Sequence, residues 1–286
     1  MQTINPKSFF LAIPTRDRKE HLLNFLSDLN AFAPYISQCI VVDQSIDFIA
    51  DTFDYSKYQF PIKFIRGDRS KGANHSRNLA LNEYNQEDWL FFLDDDLRVL
   101  PQEIQKIPKY LEKNNINCLI LGNNEIRQKN HHVKYNNLLD TIAKNVILGE
   151  SCARLLVSSG LSVIQKEYFK KAGFYFDETF TFWGDDWDLG FRLYKAGAII
   201  KFEPEINFTH LAVKSGGQRS YKENIDINKI KNYLEFYFYK KHFGNVVLRE
   251  RVLVLCIKYL LGFKLKEAYT TYKNYNKVLK HQIKWT

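Results

Sequence analysis

Residues 89–97 read WLFFLDDDL, five apolar positions running straight into three adjacent carboxylates. The run Trp89, Leu90, Phe91, Phe92, Leu93 is apolar from end to end, the pattern of a strand buried on both faces. Such strands belong to sheets covered by helices, so the stretch sets the expectation of an α/β fold. Asp94, Asp95 and Asp96 then stand at the strand's carboxyl end. Like charges side by side cost free energy unless a cation or water relieves them. Oxygen ligands at alternate positions suit Mg2+ or Mn2+, which keep several waters beside one or two carboxylates. A solvated acidic turn ahead of Pro101 accounts for the same residues, and on this stretch alone both readings stand.

Working outward, SFFLAIP (8–14), CIVVDQS (39–45), PIKFIRG (61–67) and NCLILGN (117–123) read as further strands. DRKEHLLNFLSDLN (17–30) places Leu22, Leu23, Phe25, Leu26 and Leu29 at helical spacing. GANHSRNLALNEY (72–84) and PQEIQKIPKYLEK (101–113), with Pro101 at its start, read as two more helices. The order β-α-β-β-α-β-α-β implies a sheet largely parallel at its centre and flanked by helices. Ligands in such sheets bind beyond the carboxyl ends of the strands. Pro14-Thr15-Arg16, Asp43-Gln44-Ser45 and Asp94-Asp95-Asp96 all fall there, so three polar strand ends converge on one edge.

Three later stretches carry polar chemistry. In SKGANHSRNLAL (70–81), a helix start at Gly72 with Lys71 and Arg77 nearby is a natural phosphate site, although on this stretch alone a surface helix with ordinary basic residues is the better reading. In FWGDDWDLGFRLYKAG (182–197), Asp185, Asp186 and Asp188 lie between or beside Trp183 and Trp187. Asp185 fits an N-cap, Asp188 a capping box, and Gly197 the residue after the helix. Asp186 is left without a structural task. His210 follows a strand over Ile199 to Phe208 interrupted at Pro204, and Ser215-Gly216-Gly217 reads as a flexible loop able to close over a substrate.

Composition narrows the class. The chain has 286 residues, 45% hydrophobic and 26% charged, the balance of a globular protein. Its four cysteines form no CxxC pair, which argues against a zinc knuckle or disulfide framework and fits a reducing cytosol. MQTINPKSFFLAIPTR does not read as a secretory signal, having no basic stretch followed by a long apolar run, and VLVLCIKYLLGF (252–263) is too short to span a bilayer. Residues 221–286 hold 14 Lys and Arg against 5 Asp and Glu, together with 8 of the 17 tyrosines, whereas the first 220 residues are balanced. A basic aromatic helical tail suits an anionic membrane surface or a solvated subdomain alike.

The ordered set IPTRDR, VVDQSID, KGANHSRNLAL, FFLDDDLRVLP, SSGLSVIQKEYFKKAGFYFDE, GDDWDLGFRL and His210, over roughly residues 8–215, resembles the inverting family-2-type nucleotide-sugar glycosyltransferases. That resemblance implies a GT-A fold, a Rossmann-like central mixed sheet flanked by helices, for residues 1–220, with a helical C-terminal extension over 221–286. It implies transfer of a sugar from a nucleotide-sugar, a UDP-sugar for preference, to a hydroxyl of a glycan or lipid-linked glycan. It makes Asp186 the general base, and Pro14, Thr15 and Arg16 the wall of the nucleotide pocket. By the same resemblance Asp43 meets the base, Lys71 and Arg77 the diphosphate, and Asp95 a ribose or sugar. Asp94, Asp96 and His210 become ligands of Mn2+ or Mg2+. Trp183, Gly184, Asp185 and Trp187 fall on the acceptor or sugar side. VVDQS departs from the family pattern at Gln44, and GDD carries a shorter first acid at Asp185.

The setting implied is the cytoplasm, with the tail holding the enzyme at the inner face of a membrane and the product a surface polysaccharide. Two other readings of the residues remain at this point. The acidic strand end also suits phosphoryl or nucleotidyl transfer, and the basic tail suits unspecific, salt-sensitive nucleic-acid binding, although no recognition motif supports the latter.

Overall fold

The computed structural model describes residues 9–125, 157–181, 183–217 and 227–283. Eight strands form one mixed sheet: β1 (Phe9–Thr15), β2 (Ile36–Asp43), β3 (Ile62–Arg66), β4 (Trp89–Leu93), β5 (Leu97–Val99), β6 (Cys118–Glu125), β7 (Leu161–Gln165) and β8 (Ile200–His210). Their order across the sheet is β3-β2-β1-β4-β7-β6-β8-β5. From β3 to β4 neighbours run parallel; β7 then lies antiparallel to both β4 and β6. β4 is therefore the last strand of the parallel half.

The two-sided apolar pattern of β4 is used as expected. Trp89, Phe91 and Leu93 enter one buried cluster and Leu90 and Phe92 the other, on opposite faces of the sheet. β1 divides in the same way, with Phe9, Leu11 and Ile13 on the first face and Phe10 and Ala12 on the second. The helix α1 (Lys19–Asp28) covers the first face through Leu22, Phe25 and Leu26. α2 (Ala73–Leu81) covers the second through Ala80 and Leu81.

The region expected as one helix over 101–113 is two, α3 (Pro101–Ile104) and α4 (Lys106–Lys113). β5 escapes a reading by periodicity because it has only three residues. It nevertheless matters, because its antiparallel pairing sets Leu97 opposite His210. Pro204 bends β8 without ending it. The partner of Leu121 is Glu203 but that of Gly122 is Asn207, a bulge packed so tightly that a Cβ at Gly122 would stand 2.6 Å from the Pro204 carbonyl oxygen.

Four further helices are α5 (Lys166–Lys171), α6 (Asp185–Lys195), α7 (Ile227–Leu261) and α8 (Leu265–Lys280). The boundary expected at 220/221 lies outside the described residues. A third buried cluster joins α7 to the segment ahead of β8: Phe180 and Phe191 pack with Leu234, Phe236, Tyr237 and Phe238. No described helix is long and apolar enough to cross a membrane.

Candidate active site

The three polar strand ends meet in a cleft of about 360 Å3. Thr15 and Arg16 at the end of β1, Asp94 to Asp96 after β4, Arg77 from α2, Asp185 and Asp186 from α6, and His210 from β8 all line it.

The acidic turn is held from several sides. Asp94 Oδ1 accepts from Arg77 Nη2 at 3.0 Å, and a Cβ on Gly160 would run into the Asp94 carboxylate. Asp95 is spent inside the protein: Thr15 Oγ1 donates to one oxygen at 2.8 Å and Arg18 Nη1 to the other at 2.9 Å. Burial raises its pKa to about 6 against the pull of Arg18. Asp96 has His210 Nε2 3.0 Å from Oδ1 and Arg18 Nη1 3.1 Å from Oδ2. Burial opposes its ionisation, yet the His210 contact and the Arg18 charge keep its carboxyl below the usual range. The ligand atoms of Asp94, Asp96 and His210 all lie within 4.8 Å of one another. Two hard carboxylate oxygens and one imidazole nitrogen suit a small divalent ion, Mn2+ more readily than Mg2+ because of the imidazole.

Asp186 sits at the start of α6. Its Oδ1 accepts the Ser159 N–H at 2.7 Å, while Ser159 Oγ donates to Asp185 Oδ2 at 2.7 Å. Burial, and then the neighbouring Asp185 charge, push the Asp186 carboxyl up to about 7. Arg77 spans the two acidic groups, with Nη2 on Asp94 and Nη1 3.7 Å from Asp185 Oδ2. Arg77 Nε is buried with no hydrogen-bond partner among the described residues.

The capping expectation is corrected, and several other expected residues lie away from the cleft wall. α6 is not capped by its acids: its N-cap is Gly184 at φ 92°, without a side-chain cap. Asp188 turns away instead, with Arg192 Nε at 2.8 Å, Lys241 Nζ at 2.7 Å and His242 Nε2 at 2.9 Å. Burial is outweighed by these partners, which hold the Asp188 carboxyl far below the usual range. Trp183 and Trp187 pack on each other, centroids 4.4 Å apart, and Trp187 meets Phe238 of α7; neither these indoles nor Gly184 line the cleft. Lys71 is exposed and outside the cleft wall.

Asp43 is fully buried, its oxygens accepting the Ser45 N–H at 2.8 Å and the Ile49 N–H at 2.7 Å, so it shapes its own loop while Gln44 faces the cleft. The loop at Ser215 is tied down: Arg18 donates to the Val213 and Ser215 carbonyls, each at 3.0 Å, and Gly217 N–H to the Arg16 carbonyl. Arg18, Ser159 and Gly160 are the site residues that the sequence reading left without roles. Their signal was present, since all three lie inside quoted motifs (IPTRDR and SSGLSV), but their partners are distant in the chain.

A Rossmann-like mixed sheet with an acidic turn at the end of its last parallel strand is the GT-A architecture of glycosyltransferases. S. aureus TarS 1–349, solved with UDP-GlcNAc, superposes with a TM-score of 0.61 at 12% identity, covering 96% of this chain and 81% of TarS. GalNAc-T7, solved with UDP, GalNAc and Mn2+, gives 0.57 at 13%, covering 83% and 50%. An uncharacterized glycosyltransferase of Haemophilus influenzae (strain Rd) is 32% identical over 110 residues, which are 38% of this chain and 36% of that protein. Residues 10–172, more than half of the chain, match Glycosyl transferase family 2, and the chain belongs to that family. Membership of that family favours glycosyl transfer over phosphoryl transfer as the reading of this cleft.

Proposed function

We propose that the chain moves a sugar from a UDP-sugar to a hydroxyl of a glycan or lipid-linked glycan by a single inverting displacement, with Asp186 as general base. One observation carries this reading: Asp94, Asp96 and His210 line the same cleft as Asp186, a cation site and a base of raised pKa facing one space. TarS bound to UDP-GlcNAc and GalNAc-T7 bound to UDP and Mn2+ support the donor class and the ion.

Asp94, Asp96 and His210 would hold the divalent ion, which when bound offsets the charge on the leaving diphosphate. Arg77, which lines the cleft with its guanidinium on Asp94, would place positive charge beside the diphosphate. Pro14, Thr15, Arg16 and Gln44 wall the nucleotide side. The Ser159 N–H orients the Asp186 carboxylate, which accepts the proton of the acceptor hydroxyl as that oxygen attacks the anomeric carbon. With Asp186 acting as base and the acceptor oxygen as nucleophile, attack comes from the face opposite the leaving group. A lipid-linked acceptor would place the enzyme beside a membrane, and the basic C-terminal helices support that setting.

The test is Mn2+-dependent UDP binding by thermal shift, compared between the native chain and Asp96→Ala. The native chain should be stabilised by UDP with Mn2+ and the variant should not. UDP binding that survives Asp96→Ala unchanged, with or without Mn2+, would remove the metal assignment.

A further inference from the structure

The chemistry of the cleft leaves most of α7 and α8 unused. α7 breaks at Gly244, where φ is 81° and ψ −178°. Before the break it belongs to the catalytic fold: Phe236 and Tyr239 are fully buried, and Lys241 pairs with Asp177 and Asp188. After the break one face of α7 packs on α8 through Leu248, Val252 and Val278.

The other face is uncovered by any of the described residues. Leu253, Ile257, Leu260 and Leu261 recur at i, i+4, i+7 and i+8, one helical stripe, and are 47–78% exposed. The turn after the stripe adds Phe263, 93% exposed and held at φ 54°. A left-handed conformation is unfavourable for a residue with a side chain, and so exposed a ring gains little burial to offset it. Leu265, 69% exposed, continues the surface into α8. Contiguous exposed apolar area of this kind marks a partner site.

Charge selects the partner. Lys258, Lys264 and Lys266 alternate with the apolar side chains, and residues 252–266 contain no Asp or Glu. A second copy meeting this surface about a two-fold axis would bring lysines against lysines. An anionic bilayer satisfies both features, apolar wedge and cationic rim, and the absence of a spanning helix among the described residues matches an element lying in the interface.

We propose that the hairpin tip joining α7 to α8 inserts into the headgroup region of an anionic phospholipid bilayer, with Leu261 and Phe263 as the wedge and Lys258, Lys264 and Lys266 on the lipid phosphates. The inference sharpens, and rests on, the reading of an enzyme that works beside a membrane. It relocates the contact from a diffuse basic tail to one turn.

Flotation with vesicles tests it. The full chain is mixed with phosphatidylcholine vesicles or with vesicles that also carry phosphatidylglycerol, at low and high salt. The native chain should float with the anionic vesicles, less so at high salt and weakly with phosphatidylcholine alone. Leu261→Asp combined with Phe263→Asp should lower the partition coefficient at least tenfold. Lys264→Glu combined with Lys266→Glu should lower it by about fivefold or more per position. All substituted side chains are exposed, so melting temperature and UDP binding should match the native chain.

Equal flotation of the Leu261/Phe263 variant, or no flotation of the native chain, overturns the proposal. So does light scattering that shows a dimer which the same variant dissolves, because a second copy then covers the face. UDP binding is read on the same samples: its loss with flotation intact defeats the donor reading and supports the surface, and the reverse defeats the surface alone.

Discussion

At the scale of single residues, Asp186 serves the proposed chemistry at a cost to the fold. Its carboxyl, raised to about 7 by burial and by Asp185, is a strong base near neutral pH. Transfer should therefore fall as pH drops below about 7, because the protonated form cannot accept the acceptor's proton; a pH–rate profile with its acidic limb far below that value would contradict the assignment. Stability runs the other way. A carboxyl raised in the folded state stabilises it below the unfolded value, and that contribution is lost as pH rises through about 7. Asp186→Asn should accordingly be more stable than the native chain at pH 8, by about 1–3 kcal/mol and a few degrees of melting temperature, with the gap closing toward pH 4. Equal melts at pH 8 would show that the carboxyl is not raised.

Gly160 gives a second test on a neighbouring atom. Gly160→Ala should leave the fold intact, since a side chain can yield, but it displaces the Asp94 carboxylate and should weaken Mn2+ binding about tenfold or more in a metal titration. Asp186 stood out in the sequence by being set apart from two capping acids, but the helix uses no acid as a cap, so only its place in the ordered motifs pointed to the cleft. The packing of Trp183 on Trp187, and of Trp187 on Phe238 of α7, was not legible, because neighbours in sequence carry no sign of which distant element they meet.

At the scale of elements, α6 shows how distant partners override a local pattern. Two of the three acids at the helix start, Asp185 and Asp188, read as caps, yet Gly184 opens the helix in a left-handed conformation and each acid is claimed by another part of the chain. Asp188 finds Lys241 and His242 more than 50 positions downstream, which no local spacing reveals. That buried cluster ties α7 to the helix that carries the proposed base. Lys241→Met would leave Asp177 and Asp188 facing each other with one cation fewer, and should cost about 3–5 kcal/mol in urea unfolding. A cost under about 1 kcal/mol would mean that the pairing contributes little. β4 was legible because all five of its residues are apolar. β5 was not, since three residues carry no period, although its pairing sets His210 beside the acidic turn.

At the scale of the molecule, the sequence order of strands and helices implied a covered α/β sheet whose polar strand ends converge, and they do. The reversal of β7 between β4 and β6 was not legible, because hydrophobic periodicity carries no strand direction. Nor was the packing of the C-terminal helices, whose aromatic residues complete a core with Phe180 and Phe191 while their far turn stays apolar and exposed. Charge counts along the chain located the basic surplus but not the face on which it lies.

The central claim, that one cleft binds the donor and Asp186 takes the acceptor's proton, is tested most directly by the sugar-transfer rate of Asp186→Asn. The donor is the UDP-sugar that most raises the native melting temperature with Mn2+. The account predicts unchanged donor affinity and transfer slower by about 100- to 10,000-fold. Transfer at the native rate by that variant would contradict it.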